Sequence, residues 1–267
     1  MKIATIATRL GILAGLLWIA LASPVDAAPA VKLKVGFSPD KPGSSTTVSV
    51  GFTIQTQAGV VPPPLTEVEF QLPAGMGLGT TDLGERICTV SILELQGVFG
   101  CPSNSYMGLG EAIVEVPFGP EIFAESVSLA ILMAPAIEEH TTVLFLAYGV
   151  APVAAEIIFH GELLDATGPY GAVLHTMIPL TPTLPGAPDA AVVRMRSTLG
   201  PKGVTYYRTS KGERIPFHPS GMVIPKMCPP GGYPFAATFK FLDGSTASAK
   251  SAVPCKTAQL RRVRQRK

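Results

Sequence analysis

The chain has 267 residues, of which 47% are hydrophobic and 15% charged, and its formal net charge is +2. Its 26 prolines and 27 glycines exclude an architecture of long helices, because both residue types destabilise helix interiors. The basic excess belongs to the termini. Without Lys2, Arg9 and Asp26, and without the six basic residues after Cys255, 13 basic and 18 acidic residues remain, a net charge of −5. This acidic body argues against a nucleic-acid-binding surface.

Residues 1–27 have the three parts of a secretory signal. Lys2 and Arg9 form a basic start, Leu10–Ala22 is an apolar run, and Ala27 is a small residue of the type that signal peptidase accepts. The apolar run is shorter than the ~20 residues that a membrane-spanning helix needs. We therefore predict a cleaved signal peptide and a secreted or envelope-associated protein, with an uncleaved anchor as the alternative.

The N-terminal part of the remaining chain alternates apolar and polar residues with a period of two. This period predicts half-buried strands. Helix is expected only in short pieces, around Thr89–Gln96. The alternating segments are Leu33, Val35 and Phe37, then Thr47–Gln55, then Val68, Phe70 and Leu72.

Four cysteines follow the signal, and in an oxidising compartment they can pair in three ways. Pairing by sequence neighbourhood joins Cys88 to Cys101 and Cys228 to Cys255. Each such local disulfide is worth roughly 3 to 4 kcal/mol in the chain-entropy model. Zinc is the alternative, but it favours closer cysteine pairs or nearby histidines.

The middle of the chain contains one almost wholly apolar stretch, residues 143–155. It is too short to cross a bilayer as a helix, and Pro152 interrupts it. We interpret it as two strands that are buried on both faces, joined by a turn near Gly149–Pro152.

The C-terminal part predicts a hairpin. Ala236–Leu242 forms the first strand, Asp243 and Gly244 form a two-residue turn that tolerates positive φ, and Ser245–Val253 returns as an edge strand. Beyond it, a basic tail at 258–267 is predicted to be disordered. The alternative is a weak contact with anionic wall polymer or lipid through Arg261, Arg262, Arg264, Arg266 and Lys267.

Two motifs around the cysteines resemble a family. One is Cys-Pro-x-x-Ser-x-x-Gly, from Cys101 to Gly108. The other is a late Cys…Phe-x-Asp-Gly…Pro-Cys run that begins at Cys228 and ends at Cys255. Together they are similar to uncharacterised exported β-rich proteins of high-GC Gram-positive bacteria. The resemblance implies an extracellular sandwich with two local disulfides, and it implies no activity.

No known catalytic motif is present, and no cofactor or metal site is predicted. The four histidines lack metal-type spacing, and Glu138-Glu139-His140 is interpreted as a solvated loop. Tyr206 and Tyr207 are interpreted as one core ring and one surface ring.

The predicted fold is therefore all-β, an antiparallel immunoglobulin-like β-sandwich. It forms either two modules, 28–125 and 126–257, or one extended sandwich. The predicted function is a non-catalytic structural or binding protein, whose partner could be another envelope protein paired through an edge strand. The alternative is a secreted hydrolase of glycan or polymer that uses carboxylates brought together by the fold.

Overall fold

The structure is a computed structural model that describes residues 28–77, 82–151, 154–181 and 188–255. The predicted signal at 1–27 and the basic tail at 258–267 lie outside the described residues. Nearly all of the regular secondary structure in the described residues is β-strand, as the sequence predicts. Its helices are α1 (Val90–Gln96) and two single 3₁₀ turns, Val98–Gly100 and Ser103–Ser105.

The alternating segments found in the sequence form strands. The apolar residues of each alternation face inward, because successive side chains of a strand point to opposite faces of the sheet. The fourteen strands of the described residues are β1 (Ala30–Ser38), β2 (Ser45–Gln55), β3 (Leu65–Pro73), β4 (Tyr106–Phe118), β5 (Glu121–Met133), β6 (Thr141–Gly149), β7 (Ala155–Asp165), β8 (Tyr170–Met177), β9 (Ala191–Leu199), β10 (Tyr206–Ser210), β11 (Glu213–Phe217), β12 (Met222–Val223), β13 (Tyr233–Phe241) and β14 (Thr246–Val253).

Eleven of these strands form one continuous antiparallel path. Its order is β1-β2-β9-β4-β5-β6-β7-β8-β3-β13-β14, with β12 paired to β2 and β10–β11 as a separate hairpin. The two ends of the path, β1 and β14, lie side by side. The sheet therefore curls into a near-barrel with an inner and an outer face.

The strand order distinguishes the two arrangements that the sequence left open, namely two modules and one extended sandwich. The suggested boundary between residues 125 and 126 falls inside β5, and β5 pairs with β4 on one side and β6 on the other. The first strands of the chain are also neighbours of later ones, since β2 pairs with β9 and β3 pairs with β8. The arrangement is one extended sandwich or near-barrel, whereas an immunoglobulin domain divides its strands between two sheets.

The antiparallel pairing gives the near-barrel two different ends. At the turn end lie the β4–β5 and β13–β14 turns, residues 56–64, and the described residues of the β6–β7 connection (150–151 and 154) and of the β8–β9 connection (178–181 and 188–190). At the plugged end lie the long segments 82–105 and 200–232. These two names are used below.

The plugged end is filled by apolar side chains. Tyr206 and Met107 are fully buried there, and they pack with Val48, Leu83 and Met222. Strand β10 contributes Tyr206 and strand β12 contributes Met222, both from segment 200–232. A second cluster fills the space between β1–β2 and β13–β14, where Phe52 and Phe239 meet edge to face.

The apolar stretch 143–155 has a physical explanation in this fold. Along β6, Val143 and Phe145 face the interior of the near-barrel, and Leu144 and Leu146 face outward. Leu93 of α1 covers the outward side chains, so β6 is buried on both faces as predicted.

The predicted hairpin and helix are confirmed. Gly244 has φ +82° in the β13–β14 turn, and β14 is an edge of the path. Helix α1 begins after Thr89, whose hydroxyl accepts a hydrogen bond from the Ile92 N–H, and it ends at Gly97 with φ +62°.

Candidate functional site

The inner face of the near-barrel surrounds an apolar cavity of about 240 Å³. Strands from all around the path contribute to its wall, because the inward residues of each alternation converge on the same space. The lining is dominated by aliphatic and aromatic side chains. Representative lining residues are Val127, Leu129, Val143, Phe145, Phe159 and Leu174.

The cavity exceeds what leftover packing space provides. Native cores have few voids larger than a water molecule, and an apolar cavity of about 150 Å³ already accommodates benzene. An apolar molecule that enters this cavity of about 240 Å³ leaves water. The burial of its apolar surface is favourable by roughly 25 cal/mol per Å².

Beyond one end of the cavity, Tyr206 belongs to a buried cluster with Met107 and Met222, two of the residues that line the cavity. The Tyr206 hydroxyl donates a hydrogen bond of 2.5 Å to the Tyr106 carbonyl and accepts one of 2.7 Å from the Gly84 N–H. Burial raises the pKa of the Tyr206 phenol to about 12. Tyr206 thus joins three segments that are far apart in sequence, and it seals the plugged end with a neutral side chain.

The other end of the cavity lies among the connections of the turn end. Pro64, Pro179 and Leu180 line the cavity from these connections. The surface around them is apolar as well, since Val150 is 62% exposed and Leu180 is 41% exposed. An apolar molecule that approaches the turn end therefore meets apolar surface before it meets the cavity.

Among the described residues that line this apolar cavity, Glu125 carries the one carboxylate. Glu125 lies on the inward face of β5, in line with Val127 and Leu129, and only 4% of the residue is exposed. Its Oε1 atom accepts a 3.1 Å hydrogen bond from the Ala151 N–H. The carboxylate lies against Gly149, where the Cβ of any larger residue would collide with Oε1.

A second group of polar side chains lies on the outer face, where β3 is flanked by β8 and β13. Glu67 contacts His175 through Oε1 and Nε2 at 3.1 Å and Lys240 Nζ at 2.8 Å. The hydrogen bond from Lys240 is the main reason that the pKa of Glu67 is lowered, and His175 adds to it. Glu69 lies beside them, so these two carboxylates and the imidazole have ligand atoms within 4.8 Å of one another.

This outer group has the ligand types of a metal site, but one of its carboxylates is already paired with an ammonium group. Lys240 already neutralises Glu67, and the same contact raises the pKa of Lys240. A metal ion would have to displace that ammonium group. We therefore regard the group as a cross-strand ion-pair network.

The predicted cysteine pairs are confirmed. Cys88 is bonded to Cys101 and Cys228 is bonded to Cys255. The first disulfide is buried under α1 on the outer face of β5 and β6, and the second joins the start of β13 to the end of β14. Both disulfides stabilise the fold, and neither lines the cavity.

The structure also places the other residues that the sequence singled out. Tyr206 is the fully buried ring, and Tyr207 is half-buried with the guanidinium of Arg214 stacked over it at 3.7 Å. Glu138 and Glu139 are exposed in the β5–β6 turn. Within the described ranges, no helix is long and apolar enough to cross a membrane.

Sequence reasoning missed both Glu125 and the outer group. The signal for Glu125 was present, because it continues the inward alternation of Val127, Leu129 and Ile131 and is a charged residue at an apolar position. The outer group gave no local signal, since β3 and β8 are about a hundred residues apart.

Comparisons of the chain with protein-family models, with curated proteins and with solved structures found no match.

Proposed function

We propose that the protein is an exported, non-catalytic binding protein that holds a small apolar ligand inside the near-barrel. The observation that carries this proposal is the apolar cavity of about 240 Å³, with the buried cluster around Tyr206 beyond one end and apolar surface at the other. Ligand sites are commonly apolar cavities with few polar groups, and β-barrels commonly hold such ligands in their interior.

Export is supported by the signal-like sequence at 1–27 and by the two disulfides. Disulfides persist in oxidising compartments and are rare in the cytosol. A protein that carries an apolar molecule outside the cell has to shield that molecule from water. An apolar cavity inside the near-barrel meets this requirement.

The hydrolase alternative has weaker support. Its requirement is a pair of carboxylates that flank a substrate. Glu67 and Glu69 do approach each other, but they lie on the outer face of the sheet, and Glu67 is paired with Lys240 and His175. The carboxylate in the cavity, Glu125, has no second carboxylate among the lining residues of the described chain.

A fluorescent probe tests the proposal. Phenylnaphthylamine is neutral and apolar, and its emission rises when it leaves water. We expect saturable binding of one probe per chain. In Ala147→Phe, which places a ring inside the cavity, we expect affinity to fall by at least about tenfold, because the ring occupies volume that the probe needs.

The matched control is Ala124→Phe. Ala124 is exposed on β5 and does not line the cavity, so the same added ring leaves probe affinity unchanged. Ala112→Leu, a smaller addition to the cavity wall, provides a second filling variant if Ala147→Phe fails to fold. Equal affinity in the wild type and in a folded filling variant would contradict the proposal.

A further inference from the structure

The position of Glu125 specifies the chemistry of the ligand beyond its apolar character. An ionised carboxylate is costly to bury unless a charge or several hydrogen bonds compensate it. Its two oxygens offer about four acceptor sites. Within the described ranges the Ala151 N–H is the hydrogen-bond donor that reaches them.

No cation of the described chain pairs with this group. The ion pairs found in residues 28–77, 82–151, 154–181 and 188–255 both involve Glu67, on the outer face. Beside Glu125 the cavity wall is formed by Val114, its partner on β4, and by Val127 and Gly149. The carboxylate therefore has acceptor capacity that faces an apolar space without a donor from the wall.

The location of Glu125 also sets an orientation. It precedes Val127, Leu129 and Ile131 on β5, and these residues lead from the turn end toward the plugged end. A linear amphiphile with its head group at Glu125 can extend its chain along these side chains toward Tyr206. Gly149 leaves the space that the Glu125 carboxylate occupies, since a Cβ there would collide with Oε1.

We propose that the cavity selects amphiphiles with a cationic, hydrogen-bond-donating head group, such as an alkylammonium, and that Glu125 binds that group. This inference rests on the proposed function, because it needs the cavity to be a ligand site. A carboxylate head group would be repelled by Glu125, whereas an ammonium group supplies both the missing charge and the missing donors.

Three probes of equal chain length test this selection. Octylamine, octanol and octanoate are each titrated against the mature chain with bound phenylnaphthylamine. At neutral pH we expect octylamine to displace the probe at a concentration at least about tenfold lower than octanol, because a hydrogen bond to a charged partner is the stronger kind. Octanoate is expected to be the weakest of the three.

Glu125→Gln removes the charge and keeps the shape. We expect this change to abolish the preference for octylamine over octanol. The affinity for octanol should stay unchanged, and the affinity for octanoate should rise. The matched control is Glu115→Gln, which makes the same charge change on β4 at a residue that does not line the cavity, and it should preserve the wild-type order. If Glu125→Gln fails to fold, the octylamine-to-octanoate ratio of the wild type still decides the question.

The outcomes separate the two proposals. If octanol displaces the probe and Ala147→Phe abolishes this, but octylamine shows no advantage over octanoate, the cavity is a ligand site and the role of Glu125 is overturned. If the probe does not bind to the wild type, the proposed function is overturned and this inference falls with it.

Discussion

The plugged end and the turn end of the near-barrel are built in opposite ways. At the plugged end, segments 82–105 and 200–232 fold over the opening, and Tyr206 of the second is hydrogen-bonded to Gly84 of the first and to Tyr106 at the start of β4. At the turn end, most of the connections are short, and the residues around the cavity are apolar and partly exposed. Under the proposed function, this difference places stability at one end and ligand access at the other, since binding elements are drawn from the less stable parts of a fold.

The strongest way to break this comparison is to remove the plug. Tyr206→Ala deletes a fully buried ring and leaves the Gly84 N–H and the Tyr106 carbonyl without their partner. We expect a loss of about 4 kcal/mol in the free energy of unfolding, measured by urea denaturation. Tyr207→Ala is the control, because that ring is half-buried and stacks on the Arg214 guanidinium, and we expect it to cost about 1 kcal/mol. Equal losses would show that Tyr206 stabilises the fold no more than its half-buried neighbour does.

The Cys228–Cys255 disulfide sharpens the same point. It ties residue 228, just before β13, to the chain just after β14 at the plugged end, across a sequence separation of 27. The double change Cys228→Ser and Cys255→Ser should lower the free energy of unfolding by about 3.5 kcal/mol through loop entropy.

A binding measurement on the same double variant tests whether the disulfide affects the cavity. Because neither cysteine lines the cavity, the folded double variant should retain its affinity for phenylnaphthylamine under conditions where unfolding is negligible. A loss of affinity with the fold intact would show that the plugged end shapes the site, and the division between the two ends would fail.

The sequence predicted the parts of this molecule that depend on local patterns. Alternation located β1, β2, β3 and β13, the Asp243-Gly244 pair located a hairpin, and neighbourhood in sequence gave both disulfides. The cavity depends on strand order, and that order is non-local. β9 inserts between β2 and β4, and β3 inserts between β8 and β13, so the path can curl only through pairings that no local pattern encodes.

Glu125 shows the same limit at the level of one residue. The alternation with Val127 and Leu129 predicts that its side chain shares their face of β5, which the structure bears out. That this face surrounds a cavity follows only from the closure of the sheet. A charged residue in an apolar register marks either the end of a strand or a site, and the fold decides between them.

The smallest expected effect tests whether charges on the outer face contribute to stability near the turn end. Glu67 joins β3 to Lys240 on β13, and its side chain is 13% exposed while that of Lys240 is 47% exposed. The pKa of Glu67 is lowered from its ordinary value of 4.5, chiefly by the hydrogen bond from Lys240. Its contribution to stability is therefore present above that value and is lost as the pH falls through the lowered pKa of the folded state.

Because Lys240 is exposed, solvent screens this pair, and the contribution should be much smaller than that of Tyr206. The midpoint temperature of thermal unfolding is measured from pH 6 down to pH 3, about 1.5 units on either side of 4.5. It should fall slightly less steeply with decreasing pH for Glu67→Gln than for the wild type. Glu94→Gln, which removes an exposed carboxylate on α1, should reproduce the wild-type curve. If Glu67→Gln instead destabilises the protein at neutral pH as much as Tyr206→Ala does, the outer ion pair is a principal support of the sheet. Stability would then extend along β3 and β13 to the turn end, and the contrast between the two ends would have to be abandoned.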